Sequence, residues 1–166
     1  RYLDKVPMIL GVEKYTATFL SIPTTEVNEK VNVILDSTRT DWKRFIDVYI
    51  KTIPVFIVNP TKTSRLINCN CSSLFIIQEA KDRNGNWKPI EYFHQEQWFG
   101  NYYELKSGYY LMTQIYKYNG PFKTKIRLKF KNGNNIYYSK EFDGNISLNQ
   151  FNYPDFHKAS NHNAKD

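Results

Sequence analysis

Two cysteines lie two residues apart and are the first candidates for chemistry. On a strand, Cys69 and Cys71 would face the same side, because side chains alternate along it. Their Cα atoms would then be about 7 Å apart, near the upper limit for a relaxed disulfide. Two thiolates supply only half of a four-ligand zinc site, and two of the three histidines lie in the polar C-terminal tail. We therefore expect two ordinary thiols or a local disulfide, and no metal or other cofactor.

Glu91, His94 and Glu96 lie close enough in sequence to suggest an acid–base cluster. On a strand, however, Glu91 and His94 would face opposite sides. The sequence also contains no G-x-S-x-G elbow, no H-E-x-x-H motif and no P-loop. We predict that the protein is not an enzyme.

Aromatic side chains are concentrated in a stretch of seventeen residues. They are Trp87, Tyr92, Phe93, Trp98, Phe99, Tyr102 and Tyr103. Trp87 and Phe93 are expected to fill the core. Trp98 and Phe99 precede a glycine between two strands, so they are expected in a loop, where aromatics can stack on sugar rings or anchor a protein partner. For Trp98 and Phe99 the sequence leaves a binding role and a core position open.

The clearest strand in the sequence is TKIRLKFK at residues 124–131, because apolar and cationic side chains alternate along it. The apolar positions are Ile126, Leu128 and Phe130, and the cationic positions are Lys125, Arg127, Lys129 and Lys131. Four positive charges on one face would speed encounter with an acidic partner, while Trp98 and Phe99 would supply affinity. The alternative is a solvated strand face with surplus lysine.

The overall charge agrees with an acidic partner. The chain has 166 residues and a net charge of +7, and residues 121–166 hold eight basic against four acidic residues. A basic face suits an acidic protein, an anionic glycan or a nucleic acid. We expect a protein partner, with an anionic glycan as the alternative and no nucleic acid.

These residues are carried by short segments that turn signals separate. The predicted strands are residues 31–35, 46–58, 74–77, 87–94, 102–105, 109–118, 124–131 and 136–142. The turn signals between them include residues 59–61, 82–86, 119–121 and 132–135, which are rich in Asn, Gly and Pro. The pattern predicts an all-β fold, an Ig-like antiparallel β-sandwich of about eight short strands. A closed barrel is the alternative.

Two segments depart from this regular pattern. Pro54 divides residues 46–58, which predicts two strands or one bent edge strand, because proline donates no ladder hydrogen bond. The polar stretch 36–45 could form a turn of helix, with Asp36 or Ser37 as its N-cap.

The chain is long enough for one domain. We expect an N-terminal arm or edge strand at residues 1–30, the β-sandwich domain at 31–153 and a polar, flexible tail at 154–166. No apolar run approaches the roughly eighteen residues that a membrane-spanning helix needs. Because the sequence begins at Arg1, we expect that a signal peptide was removed or that the chain was trimmed.

Three segments carry a family resemblance when they are taken together. They are NGNWKPIEYF at 84–93, YNGPFKTKIRLKF at 118–130 and NIYYSKEFDGNISLNQF at 135–151. They resemble a group of uncharacterised exported proteins of Bacteroidetes-type bacteria, over roughly residues 50–151. The resemblance implies an Ig-like β-sandwich that often follows a signal or lipoprotein peptide. It also implies an extracytoplasmic location, in the periplasm, at the outer-membrane surface or secreted. It brings no catalytic residue, and the Cys…Trp…Cys arrangement of true immunoglobulin domains is missing.

Three functions are consistent with these features. The first is a non-catalytic binding module of the bacterial envelope, an accessory subunit of a larger protein assembly. The second is a carbohydrate-binding module, which requires an exposed aromatic platform. The third is a protease-inhibitor-like β-sandwich, which requires a long exposed loop. We favour the first of these functions.

Overall fold

The computed structural model describes residues 9–10, 18–21, 30–45, 48–70, 73–93 and 101–152. Within them are fifteen strands and one 3-10 turn, and no α-helix. The strands are β1 (Ile9–Leu10), β2 (Thr18–Ser21), β3 (Asn32–Leu35), β4 (Asp41–Phe45), β5 (Val48–Val58), β6 (Arg65–Asn70), β7 (Ser73–Leu74), β8 (Ile76–Lys81), β9 (Trp87–Pro89), β10 (Tyr92–Phe93), β11 (Asn101–Leu105), β12 (Tyr109–Tyr116), β13 (Phe122–Asn132), β14 (Asn135–Tyr138) and β15 (Phe142–Ile146). The 3-10 turn is Leu148–Phe151. The all-β prediction is confirmed, with more and shorter strands than the eight expected.

The first five-stranded sheet is built around β5 and is called the β5 sheet here. Its order is β2-β12-β5-β3, and β4 pairs with the same strand β5. All its pairings are antiparallel. Part of the predicted arm therefore contributes an edge strand, β2, to this sheet. Most of residues 1–30 and the predicted tail at 154–166 lie outside the described residues.

The prediction for Pro54 is wrong, because β5 is one unbroken central strand. Pro54 lies opposite Gln114 of β12 on one side. Its carbonyl oxygen accepts a hydrogen bond from the backbone N–H of Asp36 on the other side, at 3.4 Å. The nitrogen of a strand residue points the same way as its carbonyl, so the missing N–H faces residues 36–40. There the chain turns from β3 to β4, and no ladder bond is lost.

The predicted helical turn at residues 36–45 is also wrong. Residues 41–45 form β4, which pairs with β5 from Asp41↔Thr52 to Phe45↔Val48. Asp36 caps a tight turn instead of a helix: its Oδ1 accepts hydrogen bonds from the backbone N–H and the hydroxyl of Thr38, at 3.1 and 2.6 Å. Pairing with a long neighbouring strand outweighs the weak local preference of this polar segment.

The second five-stranded sheet is built around β13 and is called the β13 sheet. Its order is β14-β13-β8-β9, and β15 also pairs with β13. The turns predicted at residues 82–86 and 132–135 are present, and each closes a hairpin. Residues 82–86 join β8 to β9, with Gly85 at φ 81°, and a two-residue turn with Gly133 at φ 59° joins β13 to β14. Glycine adopts these positive φ angles without steric cost.

A β-bulge separates β14 from β15. Lys129 pairs with Tyr138 and Ile126 pairs with Phe142, so three residues of one strand oppose two of the other. Ser139 occupies the bulge. Its backbone N–H donates to the carbonyl of Leu128 at 3.1 Å, and its hydroxyl accepts from the N–H of Leu128 at 2.9 Å. The serine side chain thus replaces the acceptor that a regular ladder would offer, and the predicted single strand 136–142 becomes two.

The remaining strands form a three-stranded sheet, β11-β6-β7, and the parallel pair β1-β10. One hydrophobic core joins the three larger sheets. Its buried members include Val55, Ile57 and Leu111 from the β5 sheet, Ile67 and Leu105 from the three-stranded sheet, and Ile126, Leu128 and Phe130 from the β13 sheet. The predicted inward face of residues 124–131 is therefore confirmed.

Candidate binding surfaces

The cations of β13 face outward as predicted, but carboxylates neutralise much of their charge. Lys125 pairs with Asp143 at 2.8 Å. Arg127 donates from Nε and Nη2 to Oε2 of the buried Glu79, at 2.9 and 2.7 Å, and Lys129 lies 3.3 Å from the other oxygen of that carboxylate. Lys131 is exposed at the end of the strand. The positive face is therefore a set of cross-strand ion pairs rather than a concentrated positive field.

Aromatic rings accompany these cations. The guanidinium carbon of Arg127 lies 4.3 Å from the centre of the Trp87 ring and 4.0 Å from that of Tyr138. Trp87 was expected in the core, and this expectation is wrong. It pairs with Lys81, which points away from the core because its neighbour Ala80 points inward. Stacking on cations accounts for its half-buried position.

Several predicted site residues lie outside the described residues: Trp98, Phe99, Cys71, His94 and Glu96. The binding role of Trp98 and Phe99, and the acid–base cluster, therefore stay predictions. Cys69 is buried on β6. The disulfide between Cys69 and Cys71 likewise stays a prediction.

The hairpin of β4 and β5 carries the most exposed aromatic side chains of the described chain. Trp42 is 61% exposed and Tyr49 is 64% exposed. Trp42 lies directly opposite Lys51, and Arg44 lies directly opposite Tyr49. The four side chains therefore share one face of the hairpin, where Trp42 and Tyr49 are diagonal neighbours whose Cα atoms are about 7–8 Å apart. We call Trp42, Arg44, Tyr49 and Lys51 the hairpin platform.

Lysine and tryptophan contact each other on this platform. The ammonium nitrogen of Lys51 lies 5.2 Å from the centre of the Trp42 ring. Asp41, at the base of the hairpin, pairs with Arg39 at 3.0 Å.

Sequence reasoning missed the platform, because it interpreted residues 36–45 as a helical turn. The signal that could have revealed it was the spacing of Trp42 and Arg44, which lie two residues apart just before the predicted strand 46–58.

A groove of ≈ 770 Å³ lies between strands β3 and β14, which are outer strands of different sheets in the described chain. Apolar side chains line most of it, including Val33, Leu35, Tyr137 and Phe142. Lys30 and Lys140 also line it. We call this space the edge groove.

A smaller cavity of ≈ 260 Å³ lies between the two five-stranded sheets. Gln78 and Tyr118 line it and hydrogen-bond Glu91, which does not line it. Burial raises the pKa of Glu91 to about 7, and hydrogen bonds from Tyr118 and Gln78 oppose the rise. A raised pKa is common among catalytic carboxylates. Here, however, both oxygens accept bonds from the chain's own donors, an arrangement suited to a structural role.

No protein family, curated protein or solved structure matches the chain. The resemblance to exported proteins of Bacteroidetes-type bacteria therefore stays a prediction from the three sequence segments. In the part of the chain that the structure describes, no helix combines the length and apolar character that crossing a membrane requires.

Proposed function

We propose that this chain is a non-catalytic binding module that engages an acidic protein partner through the hairpin platform. The observation that carries the proposal is the exposure of Trp42 and Tyr49 beside Arg44. Trp, Tyr and Arg are the residue types that dominate binding energy at protein interfaces. Adjacent exposed apolar side chains that polar residues surround are typical of interaction sites.

The charges of the hairpin favour an acidic partner surface. Arg44 and Lys51 flank the exposed rings on the same face of the hairpin, and the one carboxylate of β4, Asp41, forms an ion pair with Arg39. A partner with an apolar centre and an acidic rim would complement this arrangement. On β13, the two carboxylates of Glu79 and Asp143 form ion pairs with three cations and offset two of their charges.

The proposal retains the setting that the sequence suggests: an exported accessory subunit of an envelope assembly with an Ig-like β-sandwich. The support for the Ig-like arrangement is antiparallel pairing in two five-stranded sheets around one core. The support for the location is the resemblance of segments 84–93, 118–130 and 135–151. The inhibitor-like alternative needs a long exposed loop, and the longest fully described connection, residues 59–64, has six residues.

The experiment compares retention of envelope proteins by immobilised wild-type chain, Trp42→Ala, Tyr49→Ala and Tyr102→Ala, with quantitative mass spectrometry. Tyr102 is the matched control, because it is similarly exposed at 58% but lies on β11. We expect an acidic protein that wild type and Tyr102→Ala retain and both platform variants lose, although their thermal melting is unchanged. Equal retention by wild type and Trp42→Ala would show that the platform is not the binding site.

Carbohydrate binding is the second candidate, favoured by the same two exposed rings. Indole and phenol faces stack on the apolar faces of sugar rings, and Arg44 and Lys51 would select anionic sugars. Titration of neutral and sulfated oligosaccharides into the wild-type chain separates the two functions. Saturable binding that Trp42→Ala abolishes would favour the glycan, and absence of binding would leave the protein partner.

A further inference from the structure

We propose that the edge groove binds an extended, acidic segment of a partner protein, which adds as a strand along the outer edge of β3. This inference concerns a second surface and does not rest on the hairpin platform. It begins from the backbone of β3, whose hydrogen-bonding direction the structure fixes.

The outer edge of β3 presents free backbone groups. Asp36 donates its N–H to Pro54, so Asp36 points toward β5. Backbone direction alternates along a strand, so Ile34 also points toward β5, whereas Val33 and Leu35 point away from it. No strand pairs with this outer edge in the described chain. The N–H and C=O groups of Val33, which is buried, and of the half-buried Leu35 therefore have no backbone hydrogen-bond partner in the described chain, and a further strand would satisfy them.

The opposite wall of the groove, strand β14, is also an open strand edge in the described chain. Lys131 of β13 donates its N–H to Phe75, away from β14. Its neighbour Phe130 therefore points toward Tyr137, and Tyr138 points outward, into the space between the two sheets. Two open strand edges thus flank a space lined by apolar side chains. Addition of a strand to such an edge takes affinity from main-chain bonds and specificity from alternate side-chain pockets.

The charges at the groove select the occupant. Lys30 and Lys140 line it and form no ion pair with the described residues, whereas Glu141 is already paired with Lys81 at 3.2 Å. A second copy of this chain pairing through β3 would add another Lys30 to the same positive groove, which is unfavourable. An acidic segment would instead pair with them. The groove therefore favours a partner strand with alternating apolar residues and carboxylates.

The experiment selects peptides for the full-length chain from a random seven-residue phage library and measures their affinity by fluorescence polarisation. We expect the selected peptides to alternate apolar residues and to contain Asp or Glu. Leu35→Pro removes one outward N–H and leaves the bonds to β5 in place, and an edge strand tolerates proline at such a position. Its affinity should be roughly tenfold weaker, the loss that one removed bond of about 1.4 kcal/mol produces.

Two further variants make the result decisive. Leu35→Val keeps the N–H and should bind within about twofold of wild type, on the same scale. Lys140→Glu, at an exposed position, should weaken binding several-fold and remains informative even if Leu35→Pro fails to fold. Amide hydrogen exchange should slow at Val33 and Leu35 only when peptide is added. The proposal would be overturned if no peptide were selected, or if Leu35→Pro bound the peptides as tightly as wild type. It would also be overturned if amide exchange slowed with protein concentration alone, because that would indicate binding of a second copy.

Discussion

Gln78 and Glu91 are joined by two hydrogen bonds in the interior, one from the backbone of Gln78 and one from its side chain. The N–H donates to Oε2 of Glu91 at 2.8 Å, and the amide Nε2 donates to Oε1 at 2.6 Å. Each residue is only 1% exposed. The hydroxyl of Tyr118 adds a third bond to Oε1 at 2.8 Å. The carboxyl group thus links β8 to the segment that follows β9 through hydrogen bonds, without an ion pair to any described residue.

We predict that this carboxyl group makes stability decrease as pH rises. The pKa of Glu91 is raised from 4.5 to about 7 by burial, so the folded state binds the proton more tightly than the unfolded state does. Its contribution is fully present below pH 4.5 and is lost as pH rises through 7. The measurement is the free energy of unfolding in urea between pH 4.5 and 8, for wild type and Glu91→Gln.

Glu91→Gln should lower stability at acidic pH and flatten the pH dependence. A glutamine places an NH2 group against one of the two donors of Gln78, which costs about 1–3 kcal/mol. The free energy of unfolding should then be nearly constant across the window. An unchanged slope in the variant would assign the pH dependence to another group.

The inward face of β13 should dominate the stability of the β13 sheet. Leu128 is fully buried, so Leu128→Ala should cost about 2–5 kcal/mol. Lys129→Ala should cost about 1 kcal/mol or less, because Arg127 still compensates Glu79. Lys123, exposed on the same strand, provides the control and should be neutral. Urea denaturation checks all three, and similar losses for Leu128→Ala and Lys129→Ala would contradict the register.

The bulge makes Ser139 more important than its surface position suggests. Ser139→Ala leaves the N–H of Leu128 without its acceptor, which should cost about 1–3 kcal/mol. Ser139→Thr keeps the hydroxyl and should restore most of the loss. Chemical denaturation measures both variants, and hydrogen exchange at Leu128 should be faster in Ser139→Ala alone. Equal stability of Ser139→Ala and wild type would show that the hydroxyl contributes nothing.

Two glycines should respond differently to the same substitution. A Cβ at Gly120 would overlap the backbone of Ile146 and Ser147, whereas a Cβ at Gly144 would meet the side chain of Ile126, most closely at its terminal Cδ1. Overpacking typically costs about 1–3 kcal/mol of stability. The loss for Gly120→Ala should therefore be larger than this, and the loss for Gly144→Ala should lie within this range. Thermal and urea unfolding of the two variants provide the comparison. The reverse order would mean that the backbone near Ile146 yields more easily than expected.

The fold was predictable from the sequence where the local pattern and the turn chemistry agree. Alternation over residues 124–131 predicted the inward face of β13, and the Asn- and Gly-rich segments 82–86 and 132–135 predicted the two turns that close hairpins. The course of β5 was not predictable, because the tolerance of a sheet for Pro54 depends on where the neighbouring chain turns. The bulge at Ser139 also depends on a partner strand that no local pattern identifies.

The candidate binding residues were less predictable than the fold. Sequence reasoning identified the cations of β13 but could not identify Glu79 as their partner, because that pairing joins residues 48 positions apart. It placed Trp87 in the core, although its cross-strand neighbour is Lys81. It did not single out Trp42, whose exposure follows from the pairing of β4 with β5. Each error concerns a contact that only tertiary structure establishes.

The interruption opposite Pro54 has an evolutionary consequence. Because no ladder bond crosses from Pro54 to residues 37–40, additional residues between Thr38 and Arg39 would break none of the pairings of β3 or β4 with β5. The cost of a longer loop rises only slowly with its length. This site can therefore accept an inserted segment, and with it a new specificity, while the long strand beneath keeps the domain intact.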